Sequence, residues 1–144
     1  MTETIDTKTA PYGALVLRLA LGVMFIAHSA YLKVFVFTMP GTAQFFESLG
    51  FPGFVAYAVL AAETLGGIAL IVGIQARLVA AALIPILLGA TWAHMGNGWL
   101  FSAKGGGWEY PLFLTIASFA QVLLGRGAFA LTKDMDLPLV AESA

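Results

Sequence analysis

Four long apolar runs, separated by short polar or glycine-rich connections, constrain this chain of 144 residues more than any other feature. A bilayer core of about 30 Å is crossed by about 20 residues of helix rising 1.5 Å each. The runs cover about residues 12–37, 53–73, 78–95 and 108–124, and each approaches that length. The sequence therefore predicts an all-α integral membrane protein, a four-helix bundle.

The scarcity of charge excludes a soluble globule and narrows the possible chemistry. Seven basic and eight acidic side chains make the chain 10% charged, against about 25% in a typical soluble domain. With a net charge of −1 and no basic cluster, nucleic acid is not an expected partner. The chain has no cysteine, so any redox chemistry would require a bound or partner cofactor.

The segments around the four spans have distinct predicted roles. Residues 1–11 mix charges and lack the features of a cleaved signal, so we expect a polar tail followed by a retained membrane anchor. The four-span domain covers 12–127, and a C-terminal tail of 128–144 is expected to be mobile. Pro85 should kink or loosen the third helix. Between the first two spans, residues 42–51 predict an amphipathic turn that lies at the interface or caps the bundle.

The distribution of basic residues predicts the orientation of the spans. Four spans place both termini on one side of the membrane, and cytoplasmic flanks carry an excess of Lys and Arg. The side with the termini carries five of these residues and the opposite side two: Lys8, Arg18, Arg77, Arg126 and Lys133 against Lys33 and Lys104. We therefore expect both termini in the cytoplasm.

Two ionisable residues lie deep inside the predicted spans. His28 is about nine residues from the outer end of the first span, and Glu63 is about ten from the outer end of the second. Because intramembrane ionisable groups are costly, they are functional candidates by default. We interpret His28 and Glu63 as a pair at similar depth, able to form hydrogen bonds and exchange protons.

Further polar and aromatic side chains are expected to contact a ligand around that pair. Arg18, Gly22, Ser29 and Lys33 form one stripe within about 60° on an α-helix. The predicted ligand contacts are Lys33, His94, Glu109, Trp108 and Arg18. A bond between Arg18 and Gln121 is also compatible with their positions. A quinone suits such a pocket, since its ring stacks on aromatic side chains and its oxygens accept hydrogen bonds.

Other interpretations of the same residues remain open. The polar groups alternatively satisfy one another and hold the helices together. No metal site is predicted, and haem is disfavoured because neither HxxxH nor ExxH spacing occurs within a helix.

The order of several motifs resembles the DoxX family of small bacterial membrane proteins. The resemblance covers about residues 14–131 and rests on RLALGVMFIAH ending at His28, SLGFPG at 48–53, ETLGGIALIVGIQAR at 63–77, and His94 followed by GGWEYPL. The family-like positions are Arg18, His28, Glu63, Arg77, His94, Gly106, Gly107, Glu109 and Pro111. The family commonly has His-Gly with a lysine four residues after the histidine. Here Ser29 replaces the glycine, and Lys33 comes five residues after His28, a rotation of about 100° on an α-helix.

The resemblance implies a four-helix subunit of a quinone-linked respiratory or redox complex in the bacterial inner membrane. Its implied partners are membrane lipid and larger oxidoreductase subunits, and a homo-oligomer is compatible with the sequence. Quinone or quinol is the expected ligand, with no intrinsic cofactor. A non-catalytic accessory or assembly subunit is the alternative, and a small transporter is less favoured because four spans without internal symmetry do not match transporter architecture.

Overall fold

The computed structural model describes residues 5–136, and this part of the chain is helical without β-strands. Residues 1–4 of the predicted N-terminal tail and 137–144 of the predicted C-terminal tail lie outside the described residues. The helices are α1 Ala10–Ile26, a π-helix Ala27–Val36 continuous with it, α2 Met39–Ser48, α3 Phe54–Val72, α4 Ala76–His94, a 3₁₀ turn Met95–Asn97 and α5 Glu109–Leu124.

Three helices are long and apolar enough to cross a membrane: Ala10–Val36, Phe54–Val72 and Ala76–Asn97. The all-helical membrane prediction is therefore confirmed. The fourth apolar helix, α5, has 16 residues and a length of about 24 Å, which is shorter than a typical bilayer core. The fourth crossing therefore remains a prediction. α4 remains helical through Pro85.

α1 and α3 run antiparallel and pack with their backbones close together. An added Cβ at Gly22 would lie 2.7 Å from the Gly67 carbonyl oxygen, and one at Gly67 would lie 2.8 Å from the Gly22 oxygen. Small residues permit such close helix packing inside membranes. This close contact sets how α1 lies against α3. It thereby determines which polar side chains of the two helices meet at each end of the bundle.

The core is narrow, and much apolar surface faces outward. The buried apolar cluster consists of Leu21, Phe25, Leu70, Ala76, Ala80, Leu83, Leu87 and Leu114. More than half of the surface of Leu65, Phe113 and Ile116 is exposed. Soluble monomers rarely expose apolar surface on this scale, whereas lipid chains cover such side chains favourably.

The short helix α2 caps one end of the bundle, as the sequence suggested, but it begins earlier than the predicted amphipathic segment. Thr38 accepts a hydrogen bond from Gly41 N, and Pro40 occupies the first helical turn, where its missing N–H costs little. Phe45 lies with its ring 6.2 Å from the ring of His94 at the end of α4. We call this the α2 end and the opposite end, where α1 begins and α5 ends, the termini end.

Residues 128–136, the described part of the C-terminal tail that we expected to be mobile, are held against the termini end. Leu131 N donates to Val72 O at 3.1 Å, and Thr132 N donates to Gly73 O at the same distance. The Gln75 side chain donates to Lys133 O at 2.8 Å. These contacts are largely to the main chain, so the polar composition of the segment does not reveal them.

Candidate functional site

Lys33 and Glu63 form an ion pair at the α2 end of the bundle, between the π-helix and α3. Their side chains are only 17% and 8% exposed. A charge placed in a membrane-spanning segment is costly, and a buried pair is stable only if both partners are present. The two residues therefore form the most strongly coupled polar contact of the candidate site.

The pairing differs from the expected partnership of His28 with Glu63. The hydrogen bonds found for His28 and Glu63 lead elsewhere: Glu63 is bound by Lys33, while His28 Nδ1 lies 2.9 Å from the Met24 carbonyl oxygen. That expectation rested on the similar depth of His28 and Glu63 in their spans, while Lys33 was judged on a regular α-helix, which rotates it away from the position that the family pattern indicates. The segment that contains Lys33 is not a regular α-helix, so this rotation does not apply to it.

The segment that carries Lys33, Ala27–Val36, is a π-helix. Phe37 N donates to Leu32 O at 2.8 Å, the five-residue spacing of π-type hydrogen bonding. Each turn therefore holds about one residue more than a turn of α-helix. A lysine five residues after His28 then lies close to one turn away, so the π-helix absorbs the additional residue between His28 and Lys33.

One threonine from each of the neighbouring helices α3 and α2 contacts the π-helix. The hydroxyls of Ser29 and Thr64 are 2.9 Å apart, one residue along α3 from Glu63. At the end of the π-helix, the buried hydroxyl of Thr42 lies 3.2 Å from the Lys33 carbonyl oxygen. The lysine is thus positioned by contacts of both its side chain and its main chain. Neither Thr64 nor Thr42 was predicted as a residue of the site. The only signal in the sequence was that Thr64 directly follows Glu63.

His28 lies against the ring of Tyr110 at the start of α5, with ring centroids 5.0 Å apart and an angle of 31° between the planes. The Met24 carbonyl can only accept a hydrogen bond, so we assign the proton of a neutral His28 to Nδ1, which leaves Nε2 as an acceptor. The Tyr110 hydroxyl is buried without a hydrogen-bond partner among residues 5–136. Tyr110 was not among the residues predicted to contact a ligand.

His94, Glu109 and Trp108 lie at the α2 end and make contacts separate from the ion pair, and Glu109 and Trp108 contact the loop between α4 and α5. His94 Nδ1 lies 2.7 Å from Ala90 O, and Glu109 Oε1 accepts a hydrogen bond from Phe101 N at 2.9 Å. The ring of Trp108 lies edge-on to that of Trp99, with centroids 4.5 Å apart. The contacts found for these predicted residues thus lie apart from one another: Lys33 with Glu63, His28 with Tyr110, His94 with Ala90 and Phe45, and Glu109 with Phe101.

Arg18 lies at the termini end, away from the other predicted ligand contacts at the α2 end, and it is fully buried. Nη1 donates to the Leu70 and Ile71 carbonyls at 3.0 and 3.3 Å, and Nη2 donates to Ala128 O at 3.0 Å. A cation is favoured at the carboxyl end of a helix, where carbonyls lack intrahelical partners. Gln121 donates to Gly125 O at 2.7 Å, in place of the Arg18 contact that we considered.

Residues 5–136 contain no group of three or more His, Cys, Asp or Glu side chains arranged to hold a metal ion.

Deleting Tyr31 tests the role of the π-helix. Its side chain is exposed, and one residue fewer allows the segment to form a regular α-helix that still presents Lys33 to Glu63. We expect folded protein with a free energy of unfolding within about 1 kcal/mol of wild type, measured by unfolding in mild detergent. Deleting Ile68, an exposed residue of the regular helix α3, is the control and should prevent folding, because it rotates the following residues by about 100°. Equal damage by the two deletions would contradict this role.

Comparison with known proteins places these features in context. The sequence profile of the DoxX family matches residues 13–96. The chain is also 39% identical over 130 residues to a Bacillus subtilis (strain 168) protein named "Putative oxidoreductase CatD", and the match covers 86% of this chain and 87% of the relative. No solved structure matches the chain significantly.

Proposed function

The chain belongs to the DoxX family, and we propose that it is a membrane subunit of a quinone-linked respiratory or redox complex, contacting quinone or quinol at the α2 end. The observation that carries this proposal is the buried Lys33–Glu63 ion pair, one turn from His28. Ionisable groups inside membrane spans commonly mark ligand or proton sites. The name of the Bacillus subtilis relative supports a link to redox chemistry.

The side chains around His28 fit a quinone. The Tyr110 hydroxyl is buried without a partner in the described part of the chain, so it is available to donate to a carbonyl oxygen. His28 Nε2 is available to accept from a quinol hydroxyl. A bound quinone would supply the electron-transfer chemistry that the side chains of a cysteine-free protein lack.

In this proposal His28 and Glu63 exchange protons with the ligand. His28 Nε2 and the Glu63 carboxylate are the proton acceptors, and Lys33 holds the carboxylate in a fixed position. His94 at the end of α4, together with Trp108 and Glu109 at the start of α5, shapes the opening of the site. Arg18, which lies at the other end and binds three carbonyls, has a structural role.

We also propose that the protein lies in the bacterial inner membrane with four crossings and both termini in the cytoplasm. The fourth crossing would be α5, which packs extensively along α4. The excess of Lys and Arg near the termini end supports this orientation.

Replacing Tyr110 with phenylalanine tests the quinone proposal with little risk to the fold, because the hydroxyl has no partner among residues 5–136. Loss of one hydrogen bond of about 1 kcal/mol should weaken quinone binding about fivefold and so lower the quinone content, without lowering protein abundance. The measurements are the quinone content and quinol-coupled activity of the complex purified from native membranes. His28→Ala and Glu63→Gln should lower activity further, and Tyr57→Phe, at an exposed tyrosine of α3, is the matched control. Wild-type protein without quinone, together with variants that keep full activity, would contradict the proposal.

A non-catalytic accessory subunit is the second candidate. It is favoured by the internal partners of the polar groups, such as Ser29 with Thr64 and Lys33 with Glu63. On this interpretation Tyr110→Phe has no effect on quinone or activity, and His28→Ala and Glu63→Gln lower the amount of assembled complex rather than its turnover. The same purification therefore separates the two candidates.

A further inference from the structure

A groove of about 810 Å³ opens at the termini end of the bundle, far from the Lys33–Glu63 pair. One wall is apolar and comes from the first turns of α1 and the last residue of α5, including Ala10, Pro11, Ala14 and Leu124. The C-terminal segment, which contributes Lys133 to Asp136, forms another wall. The groove thus joins apolar helix surface to a polar rim at the end of the predicted membrane spans.

The groove and the buried layer behind it carry an excess of positive charge. Its lining contains three basic side chains, Arg77, Arg126 and Lys133, and two acidic ones, Asp134 and Asp136. Asp134 already contacts Arg77, with Oδ2 3.8 Å from Nε and Oδ1 3.3 Å from the main-chain N. Among residues 5–136, Arg126 and Lys133 have no ion-pair partner.

Buried arginine side chains behind the groove add to the excess of positive charge. Arg18 is fully buried and binds only neutral carbonyls, so it brings a further positive charge. The Nε atoms of Arg18 and Arg77 and the Oδ2 atom of Asp134 are buried without hydrogen-bond partners in the described part of the chain. Four cations therefore lie in or behind the groove with two carboxylates, an arrangement that attracts an anionic group.

We propose that this groove binds the phosphate-bearing headgroup of an anionic phospholipid, with Arg126 and Lys133 contacting the phosphate. The apolar wall of α1 and α5 favours a lipid over a soluble anion, since acyl chains continue along the same helices into the bilayer. Basic pockets at the cytoplasmic ends of membrane helices bind anionic headgroups, and each nearby Lys or Arg contributes about 1 kcal/mol.

The test compares lipid binding to the purified full-length chain in non-ionic detergent by native mass spectrometry. Phosphatidylglycerol and phosphatidylcholine with identical acyl chains are titrated separately, and inorganic phosphate is added as a competitor. The wild type should bind phosphatidylglycerol on the order of tenfold more tightly than phosphatidylcholine, and the combined variant Arg126→Gln, Lys133→Gln should lose that preference. Millimolar phosphate should not displace the lipid.

Lys104→Gln is the control, because Lys104 is an exposed lysine in the loop at the α2 end, and this variant should keep the preference. Arg126→Gln alone should lose part of the preference and provides a second reading if the combined variant is poorly folded. Equal affinity for the two lipids, or a preference that survives both substitutions, would overturn the proposal. Displacement by inorganic phosphate would also overturn it and would indicate a soluble-anion site.

Discussion

Replacing Lys33 with methionine is expected to lower the free energy of unfolding by about 3–5 kcal/mol, because the Glu63 carboxylate is then buried without its counter-charge. The two side chains lie between the π-helix and α3 and are largely shielded from solvent. The measurement is equilibrium unfolding in mild detergent, followed by a spectroscopic signal of helix content. A loss of this size would be among the largest caused by one substitution.

The combined substitution Lys33→Met with Glu63→Leu separates the ion pair from the packing of the two residues. Removing both charges leaves no unpaired buried group, so most of the lost stability should return. Lys104→Met, at an exposed lysine, is the control and should change stability by no more than about 0.5 kcal/mol. Two results would contradict a stabilising ion pair. One is a loss of stability in Lys33→Met no larger than in Lys104→Met. The other is a loss in the double variant equal to the sum of the losses from the two single substitutions.

Replacing Arg18 with methionine is expected to have a comparable effect at the other end of the bundle. The carbonyls of Ile71 and Ala128 lose their charged donor, whereas the Leu70 carbonyl keeps a hydrogen bond from Gly73 N, and each buried acceptor without a partner costs about 1–3 kcal/mol. Because Ala128 belongs to the segment after α5, that segment should also detach. Hydrogen exchange at the amides of Leu131 and Thr132, which bind Val72 and Gly73, reports the detachment directly.

Two further variants test whether the effect of Arg18→Met comes from losing the hydrogen bonds of the guanidinium group. Arg18→Lys should give an intermediate loss, since one ammonium group cannot reach carbonyls in two separate segments as a guanidinium does. Lys8→Met, at an exposed lysine near the start of α1, should leave both stability and exchange unchanged. Unchanged protection of Leu131 and Thr132 in Arg18→Met would contradict the anchoring role of Arg18.

The membrane helices could be predicted from the sequence because the thickness of a bilayer imposes a length on each apolar run. The bounds of α3, Phe54–Val72, lie within one residue of the predicted span at each end. Glu63 was also correctly singled out as buried, because no interface is near enough in sequence to explain its charge.

The partner of Glu63 was not predicted, because the pairing with His28 was argued from depth alone and the position of Lys33 was judged on the period of an α-helix. On that period Lys33 is rotated by about 100° from the lysine position of the family pattern, whereas the π-helix returns it. Arg18 was misplaced for a different reason. Carbonyl groups at the end of α3 and in the C-terminal segment are invisible in the side-chain pattern, yet they bind the guanidinium.

Photolabelling with an azido-quinone in native membranes tests the proposed quinone contact most directly. The account predicts labelled peptides around His28 to Lys33 or Tyr110, with labelling suppressed by excess unlabelled short-chain quinone and reduced in the Tyr110→Phe variant. Labelling that resists competition, or that falls outside the α2 end of the bundle, would contradict a quinone contact at this site.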